Sequence, residues 1–219
     1  FANDWIRKAF VEAAKEICPS VRVIHLDGRV PEERDRAWSA ADIFCSLSDN
    51  IQETFGIVPL EGMAAGIPVV VSDWNGYKDT VSDGVEGFRI PSMALDAGLQ
   101  SDIAYRHALG IDTYDMYCGF SSTFVGLNIG ALNEAFCKLV EDRNLRLEMG
   151  KAGREKVEST YDWINIIKTY EDFWVSLSEI RTSSVKNSKN LESVLPNYID
   201  PSEAFRHYSS KNLDLNTKL

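Results

Sequence analysis

The sequence is poor in the residues that build disulfides and metal centres. It contains four cysteines and three histidines among 219 residues. The cysteines form no C-x-x-C pair, and no histidine stands near one of them at the spacing of a metal-ligand pair. Because Cys45 and Cys137 lie in apolar runs, we expect the thiols to act as small hydrophobic side chains in a reducing compartment.

Long apolar runs and an excess of basic charge are also missing. No apolar run approaches the roughly 20 residues that a membrane-spanning helix needs, and no signal peptide opens the sequence. The formal net charge of −10 disfavours a broad nucleic-acid-binding surface. We expect a cytoplasmic globular protein. Because the sequence begins at Phe1 within a helical pattern, we also expect it to be a segment of a longer protein.

Two common phosphate-binding motifs are absent. The sequence has neither the G-x-x-x-x-G-K-[ST] pattern of a P-loop nor the G-x-G-x-x-G pattern of many dinucleotide-binding domains. A local phosphate site remains compatible with the acidic composition, because backbone N–H groups at a helix start bind anions without basic side chains.

The first ninety residues instead repeat apolar strands and helices. Helical spacing covers residues 4–17, and a second helix is predicted from Pro31 to about Ala41. A short strand is predicted at 21–26, apolar runs predict strands at 43–47 and 67–71, and a last short strand is predicted near 87–90. Such runs, separated by helices, are typical of a doubly wound α/β fold with a parallel sheet. Ligands of this fold bind beyond the carboxyl ends of the strands, so the loops at 27–31, 47–57 and 72–77 are expected to surround a pocket.

The second half of the chain is less regular. Residues 91–128 lose clean periodicity and are predicted to form an irregular insertion. Three helices are predicted over 131–180, with Asn128 and Asp142 as N-caps of the first two. An aromatic stripe on the third helix indicates a core or interface face. Residues 182–219 are rich in polar side chains and are predicted to form a polar tail.

The stretch from Ser46 to Asp79 carries the strongest chemical signal. Glu53 lies in the loop after a predicted strand, and Glu61 follows eight positions later in a helix that begins near Ile57. Gly56 at the helix start allows close backbone approach, and the first N–H groups of the helix suit a diphosphate. Two carboxylates beside such a site can accept hydrogen bonds from hydroxyl groups on either side of the diphosphate. A nucleotide sugar has this arrangement of groups.

This stretch resembles the glutamate–seven residues–glutamate signature of family 4 (group 1) retaining glycosyltransferases. The similarity continues through E-G-M-A-A-G-I-P-V-V at residues 61–70 and through Ser72-Asp73, Gly76, Asp83-Gly84 and Gly87-Phe88. Residues 131–180 match the family's C-terminal pattern more loosely. The resemblance implies a Rossmann-like sheet, the C-terminal donor-binding half of a GT-B fold truncated at its N-terminus. On this basis residues 1–181 are predicted to form a partial nucleotide-sugar-binding domain.

The resemblance also implies a role for each matching residue. Glu53 is expected to hold hydroxyls of the donor sugar and to act in catalysis, and Glu61 is expected to bind the ribose. The remaining donor-binding candidates are Thr54, Phe55, Gly56, Ile57, Val58, Gly28, Arg29 and Val30. For Arg29, stacking on the base and simple surface exposure are equally favoured. Asp49, Asn50, Gln52 and Gly76 either shape the donor pocket or build its loops.

The implied reaction moves a hexose from a UDP- or GDP-linked donor to a saccharide or lipid-linked acceptor, with retention of configuration. The sequence has no D-x-D motif, so transfer without a metal is expected, with no cofactor besides the donor itself. The family's basic pair and its acceptor-binding domain find no match in this chain, so the segment alone is expected to be inactive. A lipid-linked acceptor would place the parent protein at a membrane surface.

A different class of function stays open beside the enzyme. The same fold can serve as a non-catalytic nucleotide-binding or interaction module, with the aromatic stripe and the polar tail as its partner surface. A sugar-nucleotide epimerase is a weaker alternative, because it does not require the glutamate-rich stretch.

Overall fold

The computed structural model describes residues 4–96 and 98–187. The chain divides into two compact units, Phe1–Asp162 and Trp163–Leu219. All candidate site residues lie in the first unit, which also contains the described strands. No helix in the described ranges is long and apolar enough to cross a membrane.

A three-stranded parallel sheet forms the centre of the first unit. Its strands are β1 (Phe44–Ser46), β2 (Val69–Ser72) and β3 (Gly87–Ile90), in the order β1-β2-β3. The predicted strands at 43–47, 67–71 and 87–90 are therefore confirmed, the first two with shifted ends and the third with the predicted ends. These parallel connections and the helices between the strands confirm the doubly wound α/β class.

Helices cover both faces of this sheet. Between the strands lie α3 (Ile57–Ala64) and the short α4 (Tyr77–Thr80), while α1 (Asp4–Ile17) and α2 (Pro31–Ala40) precede β1. One core cluster joins Met63 of α3 to Val69 and Val71 of β2. The other joins Val70 to helices later in the chain. Because successive side chains of a strand point to opposite faces, the single run V-V-V supplies both cores.

The predicted strand at 21–26 is wrong. These residues belong to no strand, and Val21 and Ile24 are 60% and 61% exposed. A strand requires a neighbour that accepts and donates its backbone hydrogen bonds. Among the described strands β1 pairs with β2 alone, and no described strand pairs with residues 21–26. Their β-branched composition could not create a strand without that neighbour.

The insertion at 91–128 is more regular than its composition predicts. It contains β4 (Ser92–Met93), α5 (Ser101–Ala108), α6 (Tyr114–Ser122) and β5 (Gly126–Leu127), and β4 pairs antiparallel with β5. The prediction of an irregular segment is therefore wrong. Both helices are short and depend on local polar contacts, so they leave little periodic pattern in the sequence. Thr113 caps α6 by accepting a hydrogen bond from the Met116 amide at 3.3 Å.

The predicted C-terminal helices are confirmed. They are α7 (Ile129–Glu141), α8 (Arg143–Lys156) and α9 (Trp163–Asn187), with one π-helical turn (Val157–Tyr161) after α8. Asn128 and Asp142 cap α7 and α8 by accepting amide hydrogen bonds at 3.0 Å each. Helix α9 forms the start of the second unit and continues past Arg181. The rest of the predicted polar tail, 188–219, lies outside the described residues.

The aromatic stripe of α9 is exposed. Tyr170, Phe173 and Trp174 are 53%, 54% and 60% accessible. The stripe therefore builds no core within the described part of its own unit, and the other half of the prediction, an interface face, stays a prediction.

Two helical glycines provide a test of the packing between α8 and the turn that follows α3. A Cβ on Gly150 would lie 2.1 Å from the Gly66 carbonyl oxygen, whereas a Cβ on Gly119 in α6 would meet nothing within 4 Å. We predict that Gly150→Ala lowers the free energy of unfolding by roughly 2 kcal/mol through overpacking. Gly119→Ala should be neutral or stabilising by up to about 1 kcal/mol. Urea denaturation measures both, and equal stabilities would contradict the described contact.

Candidate functional site

The candidate site lies at the carboxyl edge of the central sheet. Ser46 and Ser72 end β1 and β2, and the loops that follow them lie side by side. The Ser72 hydroxyl donates a hydrogen bond to the Ser48 carbonyl oxygen, which ties the two loops together. This is the edge where doubly wound folds bind ligands.

Asn50 organises the first of these loops. Its side-chain oxygen accepts a hydrogen bond from the Gln52 amide at 2.9 Å, and its carbonyl accepts from the Glu53 amide at 3.0 Å. The Trp74 indole donates to the same carbonyl at 3.0 Å from the second loop. Asn50 therefore builds the loop through its own hydrogen bonds. A role for Asn50, Gln52 and the half-buried Asp49 in donor binding remains a prediction.

Glu53 is half-buried and is held from two sides. The Tyr77 hydroxyl donates to Glu53 Oε2 at 3.3 Å, and the Asn75 side-chain amide donates to the Glu53 carbonyl oxygen at 2.8 Å. Tyr77 also shares a hydrogen bond with the Ser46 hydroxyl at 2.8 Å. Burial raises the pKa of the Tyr77 phenol, with the negative charge of Glu53 contributing. The phenol is therefore a neutral hydrogen-bond donor at physiological pH.

Sequence reasoning missed Tyr77 and Asn75 as partners of Glu53. Both follow β2 in a tight turn, where Asn75 has a φ of 35°. The available signal was positional. Tyr77 begins a helix directly after a loop at the carboxyl end of β2, so its side chain stands at the ligand edge of the sheet.

Gly56 opens α3, as the sequence predicts. It adopts a left-handed φ of 84° as the N-cap, and a Cβ there would lie 2.4 Å from the Tyr77 ring. Ile57 and Val58, which begin the helix, are 64% and 47% exposed. Because the first amides of a helix have no intrahelical partner, this exposed helix start has the geometry of an anion site.

Gly76 lies against the residues that precede this helix start. A Cβ on Gly76 would come within 2.4 Å of both the Thr54 carbonyl oxygen and the Phe55 Cα atom. The Phe55 ring packs edge-on against Tyr161 at 6.2 Å between ring centroids. The structure thus brings Thr54, Phe55 and Gly76 together around the entrance of α3.

Glu61 lies on the exposed face of α3. It follows Val58 by three positions and Ile57 by four, which places the three side chains on the same side of the helix. All three are exposed, whereas Pro59, Leu60, Gly62 and Met63 are buried. Glu61 stands roughly 6 Å along the helix axis from Ile57, at a rise of about 1.5 Å per residue.

Gly28, Arg29 and Val30 form an exposed turn before α2. The Arg29 guanidinium pairs with Asp27 at 2.7 Å and 2.9 Å, and this hydrogen bonding lowers the pKa of the Asp27 carboxyl. Because residues 21–26 form no strand, the turn does not follow a strand of the described sheet. The role of these residues at a nucleobase therefore remains a prediction from the resemblance.

The sequence matches known proteins in the same region. Residues 8–101 match the family described as glycosyl transferases group 1. A D-inositol 3-phosphate glycosyltransferase of Corynebacterium diphtheriae is 32% identical over 118 residues, 51% of this chain and 27% of that protein. A phosphatidyl-myo-inositol mannosyltransferase of Mycobacterium leprae is 30% identical over 153 residues, 68% of this chain and 31% of that protein. The chain thus spans less than a third of these relatives' lengths.

A solved structure shares the fold. Sucrose-phosphate synthase from Thermosynechococcus elongatus superposes with a TM-score of 0.50 at 21% identity, over 80% of this chain and 35% of that one. At this level of identity the match supports the fold alone. It agrees with the Rossmann-like half of a GT-B architecture that the resemblance implied.

The hydroxyl of Tyr77 gives a testable link between the two loops. We predict that Tyr77→Phe lowers the free energy of unfolding by about 1 kcal/mol, because Ser46 and Glu53 lose a partner. Burial raises the pKa of the phenol in the folded protein above its ordinary value of about 10. The stability difference between the unaltered protein and the Tyr77→Phe variant should therefore persist up to about pH 10. It should vanish at higher pH, because the phenol of the unfolded chain ionises first. Denaturant unfolding across pH measures it.

Tyr161→Phe provides the matched control, because Tyr161 contacts Phe55 through its ring. It should change stability by less than about 0.5 kcal/mol. Equal losses in the two variants would contradict a bridging role for the Tyr77 hydroxyl.

Proposed function

We propose that this chain, which carries a glycosyl transferases group 1 segment over residues 8–101, is the donor-binding part of a retaining glycosyltransferase. The reaction transfers a hexose from a nucleotide diphosphate to a saccharide or lipid-linked acceptor. One observation carries the proposal: Glu53 is fixed beside a glycine-opened helix start at the carboxyl edge of a parallel sheet.

The helix start binds the diphosphate. The amides of Gly56, Ile57 and Val58 stand at the N-terminus of α3, where Ile57 and Val58 are exposed and the helix dipole favours negative charge. Charge on the leaving diphosphate grows as the bond to the sugar breaks. Amides already in position stabilise that charge without rearrangement, which lowers the barrier to transfer.

Glu53 acts at the sugar. Its carboxylate has about four sites that accept hydrogen bonds, and Tyr77 donates to one oxygen. The remaining sites accept hydrogen bonds from sugar hydroxyls and stabilise the positive charge that develops on the ring during transfer. Tyr77 and Asn75 act as positioning residues because they hold the side chain and backbone of Glu53.

Glu61 acts at the ribose. It shares the exposed face of α3 with Ile57 and Val58, so a nucleotide that extends from the helix start along this face brings its ribose hydroxyls to the carboxylate. The two glutamates therefore grip opposite ends of the donor, with the diphosphate between them.

The acceptor is a ring-shaped polyol or a saccharide. The names of two relatives describe transfer to inositol phosphate and to phosphatidylinositol, and both acceptors contain a six-membered ring with hydroxyl groups. We assign complete transfer to a protein in which this segment is joined to an acceptor-binding domain. With a lipid-linked acceptor, that protein would work at a membrane surface.

Nucleotide binding by the 219-residue chain tests the donor site. Thermal shift is measured with UDP, GDP and their glucose and mannose conjugates, because ligand affinity raises the melting temperature. Glu61→Gln should weaken binding of whichever nucleotide, UDP or GDP, gives the larger thermal shift. The expected loss is about tenfold, from one charge-assisted hydrogen bond. Glu53→Gln should instead remove the added affinity that the sugar confers. Glu141→Gln, on an exposed part of α7, is the control and should change neither.

Catalysis is tested in the longer protein that contains this segment. We predict that Glu53→Ala lowers turnover about a hundredfold, which is typical for a lost electrostatic contact, while the melting temperature changes little. Full activity in a folded Glu53→Ala enzyme would overturn the role of Glu53. Donor binding with no sugar release in the unaltered protein would favour a non-catalytic nucleotide-binding module. Analysis of the product's anomeric configuration by NMR tests retention.

A further inference from the structure

The insertion Pro91–Asn128 is attached at the ligand edge of the sheet. It leaves the sheet directly after β3, and its two ends are joined by the hydrogen bond from the Asn128 amide to the Pro91 carbonyl at 2.9 Å. The Ser92 hydroxyl donates to the Asp73 carbonyl at 2.7 Å, in the loop that follows β2. The base of the insertion is therefore fixed to the same loops that hold Glu53.

The insertion presents three aromatic rings as a group, which we call the aromatic shelf: His107, Tyr114 and Tyr117. The His107 ring stacks on Tyr117 with centroids 5.1 Å apart and planes inclined by 25°. Tyr114 lies nearly parallel to Tyr117 at 6.2 Å and 26°. Offset parallel rings of this kind hold one another in place.

Polar contacts make the connection below the shelf rigid. The Arg106 guanidinium grips the buried Asp112 carboxylate with two hydrogen bonds of 2.7 Å and 2.8 Å, and this pairing lowers the pKa of the Asp112 carboxyl. His107 Nδ1 lies 3.1 Å from the Asp112 carbonyl oxygen. The two helices of the insertion thus meet in one defined arrangement, and the aromatic rings are placed before any ligand arrives.

The shelf adjoins the candidate donor site. The Cys118 side chain raises the pKa of the Tyr114 phenol, and the Gln52 side chain acts on the same hydroxyl in the opposite direction. Gln52, which immediately precedes Glu53, therefore lies near Tyr114. His107 and Tyr117 are half-buried between the helices, whereas Tyr114 is 49% exposed. The packing between α5 and α6, which form a helical hairpin, therefore uses His107 and Tyr117. Part of the Tyr114 ring remains exposed next to the loop of Glu53.

We propose that the exposed Tyr114 ring, backed by the rest of the aromatic shelf, binds the face of a six-membered polyol ring beside Glu53. This inference rests on the proposed function and narrows it, because such a ring is the acceptor or the donor sugar. One face of a pyranose or inositol ring presents mainly C–H groups, which pack on an aromatic face. Its hydroxyl groups point outward from the rim, where Gln52 and Glu53 supply hydrogen-bonding groups.

The alternative is that the rings only hold the hairpin together, and Tyr105 distinguishes the two. Tyr105 lies on α5 of the same insertion and is 69% exposed. It is not part of the aromatic shelf. Tyr105→Ala therefore removes a more exposed ring from the same insertion and serves as a control for Tyr114→Ala.

The experiment measures binding of two polyol ligands, methyl α-D-glucopyranoside and myo-inositol, to the 219-residue chain by saturation-transfer NMR. Tyr114→Ala should weaken binding of the preferred ring about fivefold, in line with the energy of one aromatic contact. It should weaken nucleotide diphosphate binding by less. Tyr114→Phe keeps the ring and should retain more affinity than Tyr114→Ala. Tyr105→Ala should bind both probes as the unaltered chain does.

Circular dichroism of each variant verifies the fold, and Tyr114→Phe keeps the test informative if the alanine variant unfolds. Equal losses in Tyr114→Ala and Tyr105→Ala, or no binding of either ring to the unaltered chain, would overturn the inference. Failure of the proposed function has a separate sign: no nucleotide diphosphate would raise the melting temperature of the unaltered chain. Ring binding that depends on Tyr114 would support the shelf even in that case.

Discussion

The close contact between the Tyr77 ring and the Gly56 backbone is the constraint on which the candidate site depends. Gly56 adopts a left-handed φ of 84°, and the Tyr77 ring occupies the space that a Cβ on Gly56 would need. The hydroxyl of the same tyrosine reaches Ser46 and Glu53. One side chain thus contacts both the start of α3 and the Glu53 carboxylate, so the helix start and the acidic group hold one geometry.

The sheet below gives this contact a rigid support. Strands β2 and β3 approach so closely that a Cβ on Gly87 would lie 1.8 Å from the Val69 carbonyl oxygen. The three valines of β2 are fully buried, with Val70 on one face and its neighbours on the other. Burying each such side chain contributes roughly 1.5–3 kcal/mol. The carboxyl edge is therefore held by packing on two faces, and its loops inherit that order.

Much of the central fold could be predicted because its signals are local. The glycine before α3 specifies its own conformation, and Asn128 and Asp142 cap helices through nearby amides. The V-V-V run forms β2 because two neighbouring strands, β1 and β3, pair with it. Residues 21–26 could not be placed in this way, since a strand depends on a partner that composition does not encode. The helices of the insertion could not be predicted for a related reason. The Arg106–Asp112 ion pair stabilises the turn between them, and hydrophobic periodicity carries no signal for such a pair.

The candidate site shows the same division between local and distant information. The two glutamates and Gly56 stand in one sequence stretch, and their spacing pointed to a helix start. Tyr77 lies 24 positions beyond Glu53, and only the neighbouring ends of β1 and β2 bring the pair together. Side-chain partners that meet across a sheet edge are set by topology, so a reading of the stretch alone could not find them.

The hydrogen bond between Asn128 and Pro91 has a consequence for how such proteins diversify. Because the two ends of the insertion meet within a few ångströms, the sheet and α7 are joined as they would be by a short turn, whatever lies between. Mutations, insertions or deletions can therefore accumulate in this excursion while the strands keep their register. Under the proposed function, a change of the preferred polyol ring could then evolve in this segment without altering the proposed nucleotide site.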